Sequence, residues 1–419
     1  MSTLRKYIFR RNSLILSQIV GGGGESTPIE PPIESDEQFV ESTGYSNGSI
    51  FQLFISSDYK LYIGGNFGTY ADISGADRLI ATSLNGTYDS TFDANPDNNV
   101  YSISEQSTGK LIIGGSFLKM NGFNNSYLVR LNTNGTIDTS FNNNDIPIIN
   151  NMVFSKDCIT VDSQDRIYVG GRFTQVGSNS ASGLVRLLSD GTYDSSFDTT
   201  VGFTQDGLAP TMGSIKILSD GKILAVGSFN DYNGVTRNRI AKLNLDGTID
   251  TSFLYTTGAN GTIFTTAELS DGSILIGGSF TQYNGTSVNK LVKVDSSGNI
   301  DNTFNVGTGP EKTNPTGTTF INDIVVQPSG KIILALSGNT ETWNGTAVNL
   351  LIRLNSDGTF DNTWNVGGSG FVDSVYDDPR TWDIVQQENG NIIVGGRFTG
   401  YNDISHTSLV KLTSDGELV

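Results

Sequence analysis

One short motif recurs along the chain, and its repetition constrains the fold more than any other feature. Each full copy has a Gly-containing turn, a strand-forming residue, an Asp and, three positions later, an aromatic residue. The copies read NGTYDSTF at 85–92, NGTIDTSF at 134–141, SDGTYDSSF at 189–197, DGTIDTSF at 246–253, GNIDNTF at 298–304 and DGTFDNTW at 357–364. A seventh copy begins as SDGELV at 414–419. Such spacing is typical of proteins built from repeated supersecondary units.

A second motif, Gly-Gly-x-Phe or a close variant, precedes most copies of the first. The sixth unit has KIILALSGN at 331–339 in its place. Between the motifs lie short runs with alternating or β-branched apolar residues, bounded by turn residues, and these runs indicate strands. Four short antiparallel strands in each unit predict the blade of a β-propeller. The phenylalanines of the second motif are Phe67, Phe117, Phe173, Phe229, Phe280 and Phe398.

The two ends of the repeat region complement each other. The seventh unit stops before its Asp-x-x-Phe, whereas DEQF at 36–39 is an Asp-x-x-Phe with no strands before it. We therefore expect the N-terminal segment to supply the outer strand of the last blade, which leaves no open sheet edge at the seam. The predicted fold is all-β: a seven-bladed β-propeller of four-stranded antiparallel blades over 36–419, preceded by an extended arm over 1–35.

The repeated Asp allows two interpretations, a cation ligand or a structural residue. Asp-rich loops bind calcium through oxygen ligands, but this motif lacks the alternating carboxylates and the bidentate Glu of a helix-loop-helix calcium site. Asn-Gly and Asp-Gly supply the positive φ that a hairpin turn needs. We predict that the Asp accepts backbone N–H groups of the next turn, that the aromatic residue fills the space between blades, and that the chain has no metal site.

The paired motifs resemble the delta-60-repeat β-propellers. In that family the unit reads as an alternating strand, G-K-I-x-x-G-G-x-F, a short loop and L-x-R-L-x-x-D-G-x-x-D-x-x-F. The resemblance covers about residues 36–419, and the sixth unit departs from it by losing Gly-Gly-x-Phe. It implies a bacterial surface or secreted protein, or a structural protein of a tailed phage, and it implies no catalytic residue.

Residues 1–35 differ from the repeats and predict an anchoring arm with a linker. Residues 1–20 are basic and apolar, residues 21–24 are four glycines, and Pro28, Pro31 and Pro32 favour an extended spacer. A signal peptide is a weaker interpretation because no A-x-A-like cleavage site follows the apolar stretch. A disordered tail without a partner is a further alternative. The expected docking residues are Arg5, Lys6, Tyr7, Ile8, Phe9, Arg10 and Arg11.

Composition excludes several functions. The net charge of -17 argues against a nucleic-acid partner, because phosphate binding depends on Lys and Arg. A histidine triad or a multi-histidine zinc site cannot be built within one chain whose only histidine is His406. Cys158 is the only cysteine, so no disulfide forms within the chain. The sequence contains no run of about 18 apolar residues, so it predicts no membrane-spanning helix. We predict no cofactor and no catalytic residue.

We expect ligands on one face of the ring. The loops between second and third strands and the links between blades emerge on the same face, and both sets are long and varied, as binding loops usually are. The internal loops repeat an aromatic-Asn-Gly theme, for which a packing role is favoured over sugar binding. The loop YDDPRTW at 376–382 crowds two acids, an Arg and two aromatics, and an ordinary solvated loop is the alternative there. The candidate ligand-binding residues are Trp343, Tyr376, Asp377, Arg380, Trp382 and His406.

These observations favour a non-enzymatic structural or adhesive protein. The hypothesis is a multi-copy virion component, in a tail or head appendage, that docks on other virion proteins through residues 1–20 and displays the propeller to a protein or a host surface. The alternative is a glycan-binding module, extracellular or on a bacterial surface. A polysaccharide-degrading enzyme is a third and weaker possibility, since adjacent Asp377 and Asp378 are poorly placed for paired acid catalysis.

Overall fold

The computed structural model describes residues 48–419 except 71–72, 74, 143–154, 199–200, 312–318, 338–341, 349, 367 and 376–378. The predicted arm over 1–35, the predicted closing strand over 36–39, and the candidate residues Tyr376 and Asp377 lie outside the described residues. Every regular element in the described part of the chain is a strand. None of the described residues forms a helix that would be able to cross a membrane.

Seven three-stranded antiparallel sheets, here called core sheets 1 to 7 in chain order, make up the body of the described part of the protein. The second strand lies in the middle of each sheet. Their strands are Ile50–Ile55, Lys60–Gly65 and Leu79–Ser83; Val100–Glu105, Leu111–Gly115 and Leu128–Leu131; Ile159–Val161, Ile167–Gly170 and Leu184–Leu187; Met212–Ile217, Ile223–Gly227 and Ile240–Leu243; Ile263–Glu268, Ile274–Gly278 and Leu291–Val294; Phe320–Val326, Ile332–Ser337 and Leu351–Leu354; and Arg380–Gln386, Ile392–Arg397 and Leu409–Leu412.

The core sheets pack side by side in chain order. The first strand of each sheet contacts the first strand of the next, and Arg380–Gln386 of sheet 7 contacts Ile50–Ile55 of sheet 1. Leu53 N–H donates to Asp383 Oδ2 across this last contact at 2.7 Å, and Ser408 Oγ donates to the Gly48 carbonyl at 3.1 Å. The first and last core sheets are therefore neighbours, joined by hydrogen bonds as well as by packing.

The Gly-Gly-x-Phe motif ends the second strands for a steric reason. A β-carbon at Gly115 would clash with the carbonyl oxygen of Asn99, which precedes the first strand of the same sheet. Phe117, two residues later, is fully buried. The second strand itself, LIIGG, is buried at every position, as expected for a strand covered on both faces. The motif thus combines close backbone approach with one buried aromatic ring.

The predicted fourth strand is reduced to a single bridge beside each core sheet. The reason is the repeated Asp: Asp138 Oδ1 accepts the N–H of Ser140 at 3.0 Å, and Phe141 N–H returns to the Asp138 carbonyl at 3.1 Å, so the chain turns away at once. These bonds confirm the predicted role of the Asp. The bridges are Thr82–Tyr88, Leu131–Ile137, Leu187–Tyr193, Leu243–Ile249, Val294–Ile300, Leu354–Phe360 and Leu412–Leu418.

The aromatic residue of the same motif packs on the following sheet, as predicted. A β-carbon at Gly191, in the Asp-Gly turn of sheet 3, would collide with the ring of Phe141 from unit 2. In the sixth unit Trp364 Nε1 donates to the Ser414 carbonyl of sheet 7 at 3.1 Å. The ring therefore lies between neighbouring sheets, and the glycine of the turn gives it room.

Candidate functional site on the hairpin face

Within the part of the chain that the structure describes, six of the core sheets carry a short hairpin between the second and third strands. Strands from the links between sheets pair with three of these hairpins: Phe203–Thr204, Pro310–Glu311 and Phe371–Val372. This pairing confirms that the internal loops and the links lie on one face of the molecule, which we call the hairpin face. The hairpins are Lys119–Met120 with Phe123–Asn124, Gln175–Val176 with Asn179–Ser180, Asp231–Tyr232 with Val235–Thr236, Gln282–Tyr283 with Thr286–Ser287, Thr342–Trp343 with Thr346–Ala347, and Gly400–Tyr401 with Ile404–Ser405.

The aromatic residue of each aromatic-Asn-Gly turn belongs to the core. Tyr232 Oη donates to the Gly247 carbonyl at 2.6 Å, and Tyr401 Oη donates to the Gly416 carbonyl at 2.7 Å. Burial raises the pKa of both phenols, so they remain donors. Trp343 occupies the same position and is 0% exposed. This places Trp343 in the core rather than at a ligand-binding surface, because a ring without exposed area cannot stack on a sugar.

The Asn of the same turn ties the hairpin to the neighbouring link. Asn233 has a φ of 49°, in the left-handed region that Asn tolerates better than most residues. Its Oδ1 accepts the N–H of Gly202 at 2.7 Å. Asn402 Oδ1 accepts the N–H of Gly370 in the same way at 2.8 Å. Asn121, Asn284 and Asn344 make equivalent bonds to Asn95, Gly258 and Gly309. Link and hairpin are thus one hydrogen-bonded unit in five of the sheets.

The residue that follows each hairpin turn differs from sheet to sheet. Phe123 is 67% exposed, Val235 is 43% exposed and Ile404 is 51% exposed. The equivalent positions in the other hairpins are polar: Asn179, Thr286 and Thr346. A buried frame of fixed residues therefore presents a variable row of exposed side chains, three of which are apolar.

Aromatic side chains line the inner rim of the same face. A β-bulge interrupts the pairing at the start of most first strands, and Phe51, Tyr101 and Trp382 occupy the bulge in three adjacent sheets. Phe51 stacks on Tyr101 with centroids 4.9 Å apart, and its ring meets Trp382 edge to face at 6.2 Å. The Arg380 guanidinium lies 5.6 Å from the Trp382 ring. Two of the predicted candidates, Arg380 and Trp382, are therefore in contact, although their binding role stays a prediction.

His406 lies elsewhere on the seventh sheet. It follows the hairpin strand Ile404–Ser405, and its N–H donates to the Thr399 carbonyl at 3.1 Å. The residue is buried. Its imidazole belongs to the interior of the seventh unit, and a role for it in ligand binding also stays a prediction.

A buried charged cluster just beyond the aromatic rim was missed by the sequence analysis. The cluster contains carboxylate oxygens of Asp157, Asp323 and Asp383 within 4.8 Å of one another. Among the residues that the structure describes, this group has the geometry of a possible cation site. The Lys156 ammonium lies 3.0 Å from Asp323 Oδ1 and 3.2 Å from Asp383 Oδ1. Asp323 Oδ2 also accepts the N–H of Ile384 at 2.9 Å. Lys156 supplies the positive charge that these carboxylates need. The carboxylates of Asp323 and Asp383 each accept an N–H from the first strand of the next sheet.

The chain shares its repeats with a known family. Segments 106–141, 165–197, 218–253, 269–304, 327–363 and 387–418, together half of the chain, match the family described as a domain of unknown function (DUF5122) beta-propeller. The protein belongs to this β-propeller family. Each matched segment runs from the end of a first strand to the Asp-x-x-aromatic motif, or to the chain end in the last case.

Solved propeller structures resemble the chain at low identity. Virginiamycin B lyase from Staphylococcus aureus, crystallised with quinupristin as an inactive variant, is 14% identical, with 86% of this chain and 95% of that chain covered and a TM-score of 0.48. The WD40 β-propeller domain of Doa1 is 14% identical, with coverage of 89% and 95% and a TM-score of 0.45. YCF48 bound to D1 peptide is 12% identical, with coverage of 89% and 93% and a TM-score of 0.44. No curated protein sequence matches the chain. These likenesses concern the fold alone.

Proposed function

We propose that this DUF5122 propeller is a non-enzymatic structural and adhesive protein that binds a protein partner through its hairpin face. Residues 1–20 dock it on a larger assembly, for which a phage virion is the proposed setting. The variable, exposed position after each hairpin turn carries the proposal. Phe123, Val235 and Ile404 are exposed apolar side chains on a hydrogen-bonded frame, and such side chains contribute most to protein interfaces when a partner covers them.

The proposal includes a complete seven-bladed ring of the delta-60-repeat type. Each core sheet is the inner part of one blade, and its bridged segment is the beginning of a fourth strand. The hydrogen bond from Leu53 N–H to Asp383 Oδ2 supports closure between sheets 1 and 7. In this proposal residues 36–39 supply an outer strand for the seventh blade. A ring closed in this way presents the six hairpins and the links as one continuous surface.

A structural role for the charged cluster supports the non-enzymatic part of the proposal. Asp383 Oδ2 accepts the N–H of Leu53 and Asp323 Oδ2 accepts the N–H of Ile384, so both carboxylates hold adjacent sheets together. The Lys156 ammonium binds both of them. Acids engaged in this way stabilise the ring, and buried charges need such partners.

Co-sedimentation separates docking from partner binding. The full-length chain, a variant without residues 1–20 and the face variant F123S/V235S/I404S are each expressed in the native source and run on a density gradient. A matched control, L188S/L245S, changes two apolar residues that are also exposed but lie at the turns on the opposite face. We expect the full-length chain, the face variant and the control to migrate with large particles, and the truncated chain to migrate as a free chain. A full-length protein that migrates as a free 44.9 kDa chain would contradict the docking proposal.

Adsorption of the purified particles to host cells then tests the hairpin face. We expect the face variant to lower adsorption by about tenfold or more, which corresponds to ~1.4 kcal/mol, whereas the control should leave it unchanged. Equal adsorption by the two variants would remove the hairpin face as the contact surface.

A glycan is the second candidate partner, favoured by the half-buried ring of Trp382 beside Arg380. Aromatic rings stack on sugars, and an adjacent guanidinium can donate hydrogen bonds at their edges. A glycan array probed with the intact protein and with W382A tests this alternative. Binding that W382A weakens supports it, and an intact protein that binds no glycan eliminates it.

A further inference from the structure

Two arginines lie opposite each other on core sheet 7, next to the aromatic rim of the hairpin face. Arg380 begins the first strand and Arg397 ends the second strand, and the two residues are directly paired in the antiparallel register. Side chains of directly paired residues lie on the same side of a sheet, with β-carbons about 4.5–5.5 Å apart. Both arginine side chains therefore project from one side of the sheet at the hairpin face.

The equivalent positions in sheets 1, 2, 4 and 5 carry no charge. In each of these sheets the backbone N–H at the position of Arg397 donates to the carbonyl at the position of Arg380, which establishes the equivalence. Like charges that lie directly opposite each other destabilise a sheet. The architecture of the repeat therefore does not account for the two arginines. The four equivalent pairs are Ser49 with Asn66, Asn99 with Ser116, Thr211 with Ser228, and Thr262 with Ser279.

An aromatic ring lies beside the arginine pair. The Arg380 guanidinium is 5.6 Å from the centroid of the Trp382 ring. Trp382 is half-buried, so part of its surface remains exposed, and the Phe51 ring meets it edge to face at 6.2 Å. The contact with Phe51 restrains the indole, which therefore presents a fixed apolar surface next to a positive charge.

Polar groups from the link before sheet 7 complete the surroundings. Asp373 Oδ2 lies 3.5 Å from Arg397 Nε, a separation longer than that of an ordinary hydrogen bond. Ser374 follows Asp373 in the chain, and its Oγ lies 3.1 Å from Oγ1 of Thr399, two residues after Arg397. Both hydroxyls are exposed. Two guanidinium groups, an aromatic ring and two hydroxyls are thus gathered at one end of sheet 7.

We propose that Arg380 and Arg397 bind the carboxylate of an acidic sugar whose ring stacks on Trp382. A guanidinium donates two parallel N–H bonds to a carboxylate, which gives strong and oriented binding. The flat apolar face of a sugar ring packs on an indole, and the hydroxyls of Ser374 and Thr399 can donate to or accept from the hydroxyls of the sugar. This inference rests on the binding role proposed for the hairpin face and names the class of glycan that binds there.

Isothermal titration of the full-length protein tests the site with three probes: a tetramer of galacturonic acid, a tetramer of galactose, and inorganic phosphate. We expect the acidic tetramer to bind about tenfold or more tightly than the other two, because it alone offers a carboxylate together with a sugar ring. An acidic tetramer that shows no binding up to about 1 mM would overturn the proposal. Phosphate that binds as tightly would contradict the role of the sugar ring, and a galactose tetramer that binds as tightly would contradict the role of the arginines.

Three variants locate the binding. R380Q removes one guanidinium and should weaken binding of the acidic tetramer by about tenfold or more. R397K keeps the positive charge beside Asp373, so the fold is retained, but it loses the bidentate fork and should also weaken binding. The matched control is R237Q on sheet 4, since the Arg237 guanidinium also lies over an aromatic ring, that of Tyr255, at 4.6 Å. Equal weakening by R380Q and R237Q, or none by R380Q, would contradict the assignment.

Host adsorption separates this inference from the proposed function. If F123S/V235S/I404S lowers adsorption but the intact protein binds no acidic tetramer, the inference is overturned and the contact role of the hairpin face stands. If the acidic tetramer binds and R380Q weakens that binding, the inference is supported even where the face variant adsorbs normally.

Discussion

The repeated Asp is predicted to stabilise each blade in proportion to the burial of the cation it holds, and D138A tests this most sharply. The Asp138 side chain is 8% exposed and that of Arg130 is 9% exposed. The Arg130 guanidinium also lies over the Phe141 ring, 4.8 Å from its centroid. Removing Asp138 therefore leaves a buried guanidinium without its carboxylate. Breaking a buried pair by deleting one partner costs about 3–5 kcal/mol, and we expect a loss in that range.

The matched control is D301A, at the same motif position in unit 5. The Asp301 side chain is 25% exposed and pairs with Lys293 at 3.1 Å. Exposed pairs contribute up to about 1 kcal/mol and a lost turn hydrogen bond about 1 more, so we expect a loss of ~1–2 kcal/mol. Guanidinium unfolding followed by far-UV circular dichroism gives both values. A loss in D301A equal to or larger than that in D138A would refute the reasoning, and D138N separates loss of charge from loss of volume.

Three further predictions concern the buried charged cluster around Lys156, the repeated turns and the hairpins. K156M leaves the buried carboxylates of Asp323 and Asp383 without their ammonium and should lower the free energy of unfolding by about 3–5 kcal/mol at pH 7. K60M, which breaks a more exposed pair, should cost about 1 kcal/mol or less. Acid unfolding should set in below about pH 4. The hydroxyl and N–H of Thr303 lower the pKa of Asp301 to about 2, so its stabilising contribution is complete above the ordinary Asp pKa and is lost as the pH falls through the folded value; unfolding that begins at pH 5 or above would contradict this cause. N233A should lower the melting temperature more than N233G, because both lose the bond to Gly202 but glycine tolerates the positive φ.

Local rules predicted much of this structure from sequence. The turns of the repeat, the carboxylate of Asp138 on the N–H of Ser140, and the packing of Phe141 on the next unit all follow from short-range chemistry. In the described part of the chain the predicted fourth strand is a single bridge, because the same Asp bends the chain after one bridging residue, Ile137. The sequence pattern of this segment predicted a strand, but the side-chain hydrogen bonds of the Asp limit the pairing to one residue.

Contacts between distant units were harder to predict than contacts within a unit. The meeting of Asp157 with Asp323 and Asp383 depends on how the core sheets pack on one another, which the spacing of the repeats does not specify. One signal was present, since Lys156 and Asp157 replace the apolar pair Ile50 and Phe51 of the first unit. For Trp343 the sequence predicted a ligand-binding residue, whereas the structure buries its side chain. Its aromatic-Asn-Gly turn has the composition of a sugar site, whereas its repetition in several units already favoured the core.

Hydrogen exchange of the particle-bound and free protein tests the hairpin face most directly. Peptides covering the hairpin turns at 121–124, 233–236 and 402–405 are compared with those covering the opposite turns at 188–191 and 245–247. We expect exchange to slow at the hairpin turns when the protein is bound to its partner, while the opposite turns remain unchanged. Protection confined to the opposite turns would contradict the proposed contact surface.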